Sequence, residues 1–242
     1  MRPGAPEGSR PPPGRTRSRH ELLGRIREAR HNLAAYGPPR VRPGADFERI
    51  SLPSPDCDVL RDLLLADKPG TVIEIGLAYG SSALAIAEAL AATGPAQARH
   101  LIIDAYQQSF DNSGWATITE AGAAGLCRLL EERSQIALPR LLGEGFTADA
   151  AFVDGSHIFH NVFTDLFYLR ELVRPGGLII LDDCHHPPVA TAARYFEINT
   201  GWESEPIASP TRLRAYRLPS PRTEPDYRNF RPFGPGSAAG ED

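Results

Sequence analysis

Two apolar stretches of the sequence stop on acids. "AAFVD" (150–154) runs into "GSH", which sets His157 three residues after Asp154. "LIILD" (178–182) runs directly into a second acid, Asp183. If the two stretches lie side by side, Asp154, Asp182 and Asp183 converge. Three carboxylates in one crevice repel one another; they are tolerated when a divalent cation neutralises them or when some stay protonated. Oxygen donors without a thiolate suit Mg²⁺, with Mn²⁺ or Ca²⁺ as substitutes. His157 adds a group of another kind, since a neutral imidazole near pH 7 is suited to taking a hydroxyl proton. Each group also has a plainer role open to it. Asp182 or Asp183 can cap the following segment, and His157 can hydrogen-bond locally at a helix entry. His185 and His186 are either further contacts or part of an exposed turn before Pro187–Pro188. His160 reads as structural, and Asp165 as a surface residue.

A second stretch, "VIEIGLAYGSS" (72–82), carries Gly76 and Gly80 between an apolar run and a run of small residues. A dinucleotide fingerprint needs G-x-G-x-x-G, and Ala78 and Ser81 stand where its second and third glycines belong. Close approach of a pyrophosphate is therefore poorly supported. Glu74 suits a ligand carrying positive charge, and Ser81 and Ser82 open a helix whose free N–H groups can meet a carboxylate. Asp104 ends the next apolar run, "HLIID" (100–104), where an acid can accept both hydroxyls of a ribose.

These residues need elements to place them. Apolar runs at 71–75, 100–104, 127–134, 150–154 and 178–182 read as strands, with a late strand at 211–218. Helical patterns separate them: 81–92, a weak 115–124, the short "QIALPRLLGEG", 157–173 closed by "RPGG", and "PPVATAARYFEI". Two more helices precede them, His20–Tyr36 and Ser54–Asp67, the latter with Ser54 or Asp56 as N-cap and Leu60, Leu63 and Leu64 on one face. Wholly apolar strands alternating with helices predict an α/β, doubly wound, mostly parallel sheet covered on both faces. Ligands of such sheets bind beyond the carboxyl ends of the strands. That is why strands that stop on acids point to a site.

Composition narrows the function. Hydrophobic and charged residues make up 41% and 23% of the 242, near globular averages, so one sizeable core is expected. A net charge of −4 gives no reason to expect a nucleic-acid partner. Cys57, Cys127 and Cys184 are sparse and widely spaced, which fits reduced thiols. The basic N-terminus lacks the apolar core of a secretory signal, and no run of about 18 apolar residues occurs, so no membrane span is expected and a cytoplasmic protein follows. Residues 1–18, rich in Pro, Gly and Arg, read as a disordered tail, and 219–242 as a flexible C-terminal tail that Tyr227, Phe230 and Phe233 could partly dock. The folded domain is expected at 19–218.

E-x-G-x-x-x-G after the first strand, at Glu74, Gly76 and Gly80, resembles motif I of the class I S-adenosylmethionine-dependent methyltransferases. D-G-x-H followed by R-P-G-G-x-x-x-x-D-D is similar to metal-dependent O-methyltransferases, above all those acting on sugars of macrolide and aminoglycoside-type natural products. The catechol O-methyltransferases share the outline, with Asn where Asp183 stands. The likeness spans about residues 50–218. It implies a seven-stranded Rossmann-like sheet and S-adenosylmethionine as cofactor. Glu74, Gly76, Tyr79, Gly80, Ser81, Asp104 and, more loosely, Ser134 would hold that cofactor. It further implies that Asp154, Asp182 and Asp183 hold Mg²⁺, or Mn²⁺ or Ca²⁺, and that His157 with Asp154 is catalytic. The substrate would be a hydroxylated small molecule: a sugar, polyol or phenolic natural product. A homo-oligomer is compatible with this; a nucleic-acid or membrane partner is not expected. "SFDNSGWATITEAG" (109–122) matches no motif, and Trp115 in it is either a stacking residue or a plain hydrophobic anchor. Alternatives are a metal-independent N- or O-methyltransferase using His157 as base, a non-catalytic binding domain for the same cofactor, and an NAD-type oxidoreductase, which the missing G-x-G disfavours.

Overall fold

A computed structural model describes residues 19–38, 46–222 and 224–233. The expected tail 1–18 lies outside them. Seven strands form one sheet in the order β3-β2-β1-β4-β5-β7-β6. They are β1 (Thr71–Ile75), β2 (Arg99–Ile103), β3 (Cys127–Leu130), β4 (Ala148–Val153), β5 (Val173–Leu181), β6 (Glu203–Glu205) and β7 (Arg214–Arg217). The first five pair in parallel, and β7 runs antiparallel between β5 and β6. The helices are α1 (Arg19–Tyr36), α2 (Phe47–Ile50), α3 (Ser54–Asp67), α4 (Ser81–Thr93), α5 (Ser113–Glu120), α6 (Ser134–Gly143), α7 (Phe159–Leu172) and α8 (Pro187–Thr200). This is the α/β doubly wound sheet that the strand pattern predicts. Among the described residues no helix is long and apolar enough to cross a membrane.

The period-two alternation of the strands sorts their side chains into two layers. Ile73, Ile75, Leu101, Ile103, Ala151, Val153, Ile179 and Leu181 pack with α6, α7 and α8 on one face. Val72, Ala150, Phe152, Leu178 and Ile180 pack with α3 and α4 on the other. The parallel strands read as continuous apolar runs because both faces are covered. A third cluster joins α1 and α5 to the outer side of α4. There Arg19 donates to the carbonyls of Leu90, Ala91 and Gly94 at the end of α4, and Arg27 and Arg30 pair with the buried Glu88. Helix α1 is thus a brace on α4.

Several expectations are corrected. Neither Ser54 nor Asp56 caps α3: Pro53 holds the N-cap position, and the Asp56 carboxylate instead accepts from Thr211 Oγ1 and the Arg212 N–H. The third strand is only Cys127–Leu130, since its charged continuation turns into α6 at Ser134. Helix α7 does end just before "RPGG", but that run lies inside β5, whose pairing with β4 shifts register between Ala148 and Ala150. The seventh strand that the resemblance implies is β6, which the residue pattern does not locate, because a three-residue edge strand of Glu and Ser has no apolar pattern. The segment after 218 makes contacts where it is described. Arg222 reaches Glu171 and the Val173 carbonyl, Arg231 exchanges bonds with Asn199, and Phe233 meets Tyr195 edge-on.

Candidate active site

Strand register builds the site. Ile75 lies opposite Ile103 and Val153, and Val153 opposite Leu181. The next residues, Gly76, Asp104, Asp154 and Asp182, are therefore level across four strand ends. Backbone bonds continue this line: Gly76 N–H to Ile103, Asp154 N–H to Ile75 and Asp182 N–H to Val153. The chain order reverses between β1 and β4, and the crevice opens there, as it does at such switch points. It is a single cavity of about 1090 Å³ whose walls include Gly76, Tyr79, Ser81, Asp104, Ser134, Asp154, His157 and Asp183.

The glycine loop is held from below and from the side. Gly76 has φ +94°, and a Cβ there would stand 2.1 Å from the Asp154 carbonyl oxygen, so only glycine lets β1 and β4 close at this point. Gly80 has φ +90° and turns the chain into α4. The Asp104 carboxylate accepts from the N–H groups of Leu77, Ala78 and Tyr106 and from Gln107 Nε2, at 2.7–3.1 Å. Hydrogen bonds to an ionised acceptor contribute about 1.5–3 kcal/mol each, which makes Asp104 the main tie between the loop and β2. Tyr79 fixes one wall by edge-on contacts with Phe47 and Phe110.

Glu74, expected at the ligand, is set back from it. Its carboxylate has no exposed surface; it accepts from Ser82 Oγ at 2.5 Å and lies 2.9 Å from His100 Nε2. Burial alone would keep His100 neutral, but the charge of Glu74 and the contact with Cys127 outweigh it and push the imidazole up to about 10. Glu74 and His100 therefore form a buried ion pair under the loop; Glu74 touches the crevice wall through Ser82, and its charge also adds to those that raise Asp154. Ser134 starts α6 at the crevice wall. Behind it, Asp165 is buried rather than on the surface, and burial pushes its carboxyl up to about 7 despite the Ser134 hydroxyl.

The acids converge as their strand ends require. Asp154, Asp182 and Asp183 each offer an oxygen, all within 4.8 Å of one another. Asp183 has φ +54°, a left-handed turn that sends its carboxylate back towards His157. The His157 Nε2–Asp183 Oδ2 distance is 2.7 Å. That bond holds His157 above the ordinary imidazole range and Asp183 below the ordinary carboxylate range. Asp154 is pushed well up, first by burial and then by the charges of Asp182 and Asp183. Burial also raises Asp182, although Arg212 opposes it. His157, Asp183 and His186 form a second donor group, with the two rings stacked 5.3 Å apart.

Sequence reasoning missed Arg212. Its Nη2 donates to Asp182 Oδ2, and its Nη1 stands 3.7 Å from Asp183 Oδ1. Arg212 precedes β7, whose Arg214 is registered against Leu181, so it arrives beside the acid pair from 30 residues away. No motif marks it; only the β5–β7 pairing could have revealed it. His160, expected to be structural, lines the cavity, as do His185 and His186. Trp115 does not line it; it packs against the α1–α4–α5 cluster, so the anchor role holds, while Ser109 and Phe110 from the same segment reach the cavity.

Residues 73–184 match a family model described as a methyltransferase domain. No curated protein matches the chain. Among solved structures, it is similar to the O-methyltransferase TomG of Streptomyces achromogenes, involved in tomaymycin synthesis and solved with S-adenosylmethionine. That match has 22% identity, covers 82% of this chain and 89% of that one, and gives a TM-score of 0.57. A putative O-methyltransferase of Klebsiella pneumoniae matches at 19% identity over 86% and 92% of the chains, with a TM-score of 0.60. An O-methyltransferase of Bacillus cereus, solved with S-adenosylhomocysteine, matches at 14% over 84% and 93%, with a TM-score of 0.56. At these identities the likeness is one of fold.

Proposed function

We propose, for a chain whose residues 73–184 match a methyltransferase-domain model, a specific activity: S-adenosylmethionine-dependent O-methylation of a hydroxylated small molecule, a sugar, polyol or phenol, assisted by a divalent metal. One observation carries the reading. The cofactor-side residues Gly76, Ser81, Asp104 and Ser134 and the acceptor-side residues Asp154, His157 and Asp183 open into the same cavity. In this reading the cofactor's ribose lies at Asp104 and its methionine end at the loop and the start of α4. The cofactor has to share Asp104 with the loop N–H groups, or displace Gln107 from it. The cofactor would supply a sulfonium methyl group and leave as the neutral thioether, and the residues at the acids would hold the acceptor hydroxyl for in-line attack.

The donor set fits a hard divalent cation: three carboxylates, no thiolate, and oxygens within 4.8 Å of one another. Asp154, Asp182 and Asp183 would hold Mg²⁺, Mn²⁺ or Ca²⁺, which when bound lowers the pKa of a coordinated hydroxyl and orients it. The chain itself supplies the proton acceptor. When His157 donates its Nε2–H to Asp183, Nδ1 keeps its lone pair and can take the hydroxyl proton, while Asp183 fixes the tautomer. Such an enzyme would work in the cytoplasm, and a homo-oligomer is compatible with it.

A second reading, metal-independent transfer with His157 as base, is favoured by one observation: Arg212 already pairs with Asp182. Calorimetric titration with S-adenosylmethionine and with NAD, each with Mg²⁺ and with EDTA, tests the cofactor. Saturable binding of the first and not the second is expected; no binding by folded protein rejects the proposal. Methyl transfer to a panel of vicinal diols that survives EDTA selects the second reading.

A further inference from the structure

Arg212 is delivered to the acid cluster rather than left near it. Asp56 on α3, only 8% exposed, accepts from Thr211 Oγ1 and from the Arg212 N–H, and so clamps the backbone just before β7. The antiparallel register of β7 on β5 then carries the side chain to Asp182 and Asp183. There Nη2 bonds to Asp182 Oδ2, while Nε is buried and meets no acceptor. The guanidinium is directed at both acids, with one hydrogen bond to Asp182 and Nη1 turned to Asp183 at 3.7 Å. Both Asp182 oxygens are already engaged, Oδ2 by Arg212 and Oδ1 by the Asp183 N–H at 2.7 Å.

We propose that Arg212 is a tethered cation that occupies the metal's place on Asp182, so that a divalent ion binds Asp154, Asp182 and Asp183 only by driving the guanidinium off Asp182. The inference rests on the metal reading of this cluster. Two cations a few ångströms apart repel strongly at the effective dielectric of a half-buried site, and Asp182 Oδ2 cannot serve both at full strength. The exchange has a physical use. With Arg212 in place, the buried acids are partly neutralised and the fold tolerates them without metal. With metal in place, the guanidinium is released into the cavity it already lines, where it can meet an anionic or polyhydroxylated acceptor. Metal affinity is thereby set by a residue that is not a ligand. Asp56, which touches none of the three acids in the bonds described, sets it at one further remove.

The test is Mn²⁺ binding to the full chain, read by the loss of free-ion EPR signal, for wild type, Arg212→Met and Arg212→Lys, with S-adenosylmethionine affinity measured in parallel by calorimetry. Arg212→Met is expected to bind Mn²⁺ at least tenfold more tightly than wild type, with Arg212→Lys between them, and to gain a larger rise in Tm on adding Mn²⁺. Unchanged or weaker Mn²⁺ binding by Arg212→Met, when wild type binds the ion, overturns the competition while leaving the metal reading intact. No Mn²⁺ binding by either protein overturns both. Loss of S-adenosylmethionine binding by the wild type strikes the proposed function instead. If Arg212→Met does not fold, Asp56→Ala serves: it removes the acceptor of both clamp bonds and keeps the guanidinium, and a severalfold tightening of Mn²⁺ is expected, with no change overturning the proposal.

Discussion

Replacing Gly76 by alanine tests the closure of β1 against β4, on which the whole crevice depends. Two costs are read from the structure. The backbone at Gly76 has φ +94°, outside the range that L side chains adopt readily; such strain costs on the order of 1–3 kcal/mol. The new Cβ would also stand 2.1 Å from the Asp154 carbonyl oxygen and 2.7 Å from its carbon. These are backbone atoms of a segment bonded to Ile75, so the chain has to move by roughly 1 Å, an overpacking penalty of about 1–3 kcal/mol. The sum is about 2–6 kcal/mol. Gly145→Ala is the control. Its φ is +72° and no heavy atom lies within 4 Å of the built Cβ, so it carries the conformational cost alone. Urea unfolding of both variants at pH 7, with equal m values, should place Gly76→Ala below Gly145→Ala by about 1–3 kcal/mol. S-adenosylmethionine affinity should fall at least tenfold in the first and stay unchanged in the second, because Gly145 precedes β4 at the opposite end of that strand. If the two variants unfold alike, the close approach of Gly76 to Asp154 is not a determinant of this fold, and the argument for the loop fails.

Asp104→Ala leaves the N–H groups of Leu77, Ala78 and Tyr106 without their shared acceptor. Calorimetry should show cofactor affinity reduced by a hundredfold or more, with far-UV circular dichroism unchanged; wild-type affinity removes Asp104 from the site. For Asp165, burial raises the folded carboxyl to about 7 from the ordinary 3.8. The folded state then binds more protons than the unfolded state between these values, so stability falls as pH rises through that window. Tm measured from pH 4 to pH 8 should decline through it, and Asp165→Asn should flatten that decline and be the more stable protein at pH 8. A decline of the same size in the variant assigns it to other groups.

The sequence by itself determined the architecture and which strand ends and glycine loop meet at the cavity, because both depend on local pattern. Apolar runs such as "TVIEI" and "AAFVD" are strands whatever their neighbours, and glycines at 76 and 80 or acids just after a strand report their strand ends directly. It could not determine which way a side chain at a strand end turns. Glu74 and Asp104 both sit at ends of adjacent strands; alternation sends Glu74 down to Ser82 and His100 under the loop, while Asp104, past its strand, meets the loop amides. Asp165 looked exposed on a helix whose periodic apolar residues had defined the buried face, yet packing against α6 buried it. The sharpest omission is Arg212. Its meeting with Asp182 follows from β7 inserting antiparallel beside β5 and from Asp56 holding its backbone, contacts 30 and 156 residues apart in sequence. Local propensity carries no record of such pairings. They arise only when the sheet closes and buried charges must find partners, and so the electrostatic balance of this site was decided by tertiary structure alone.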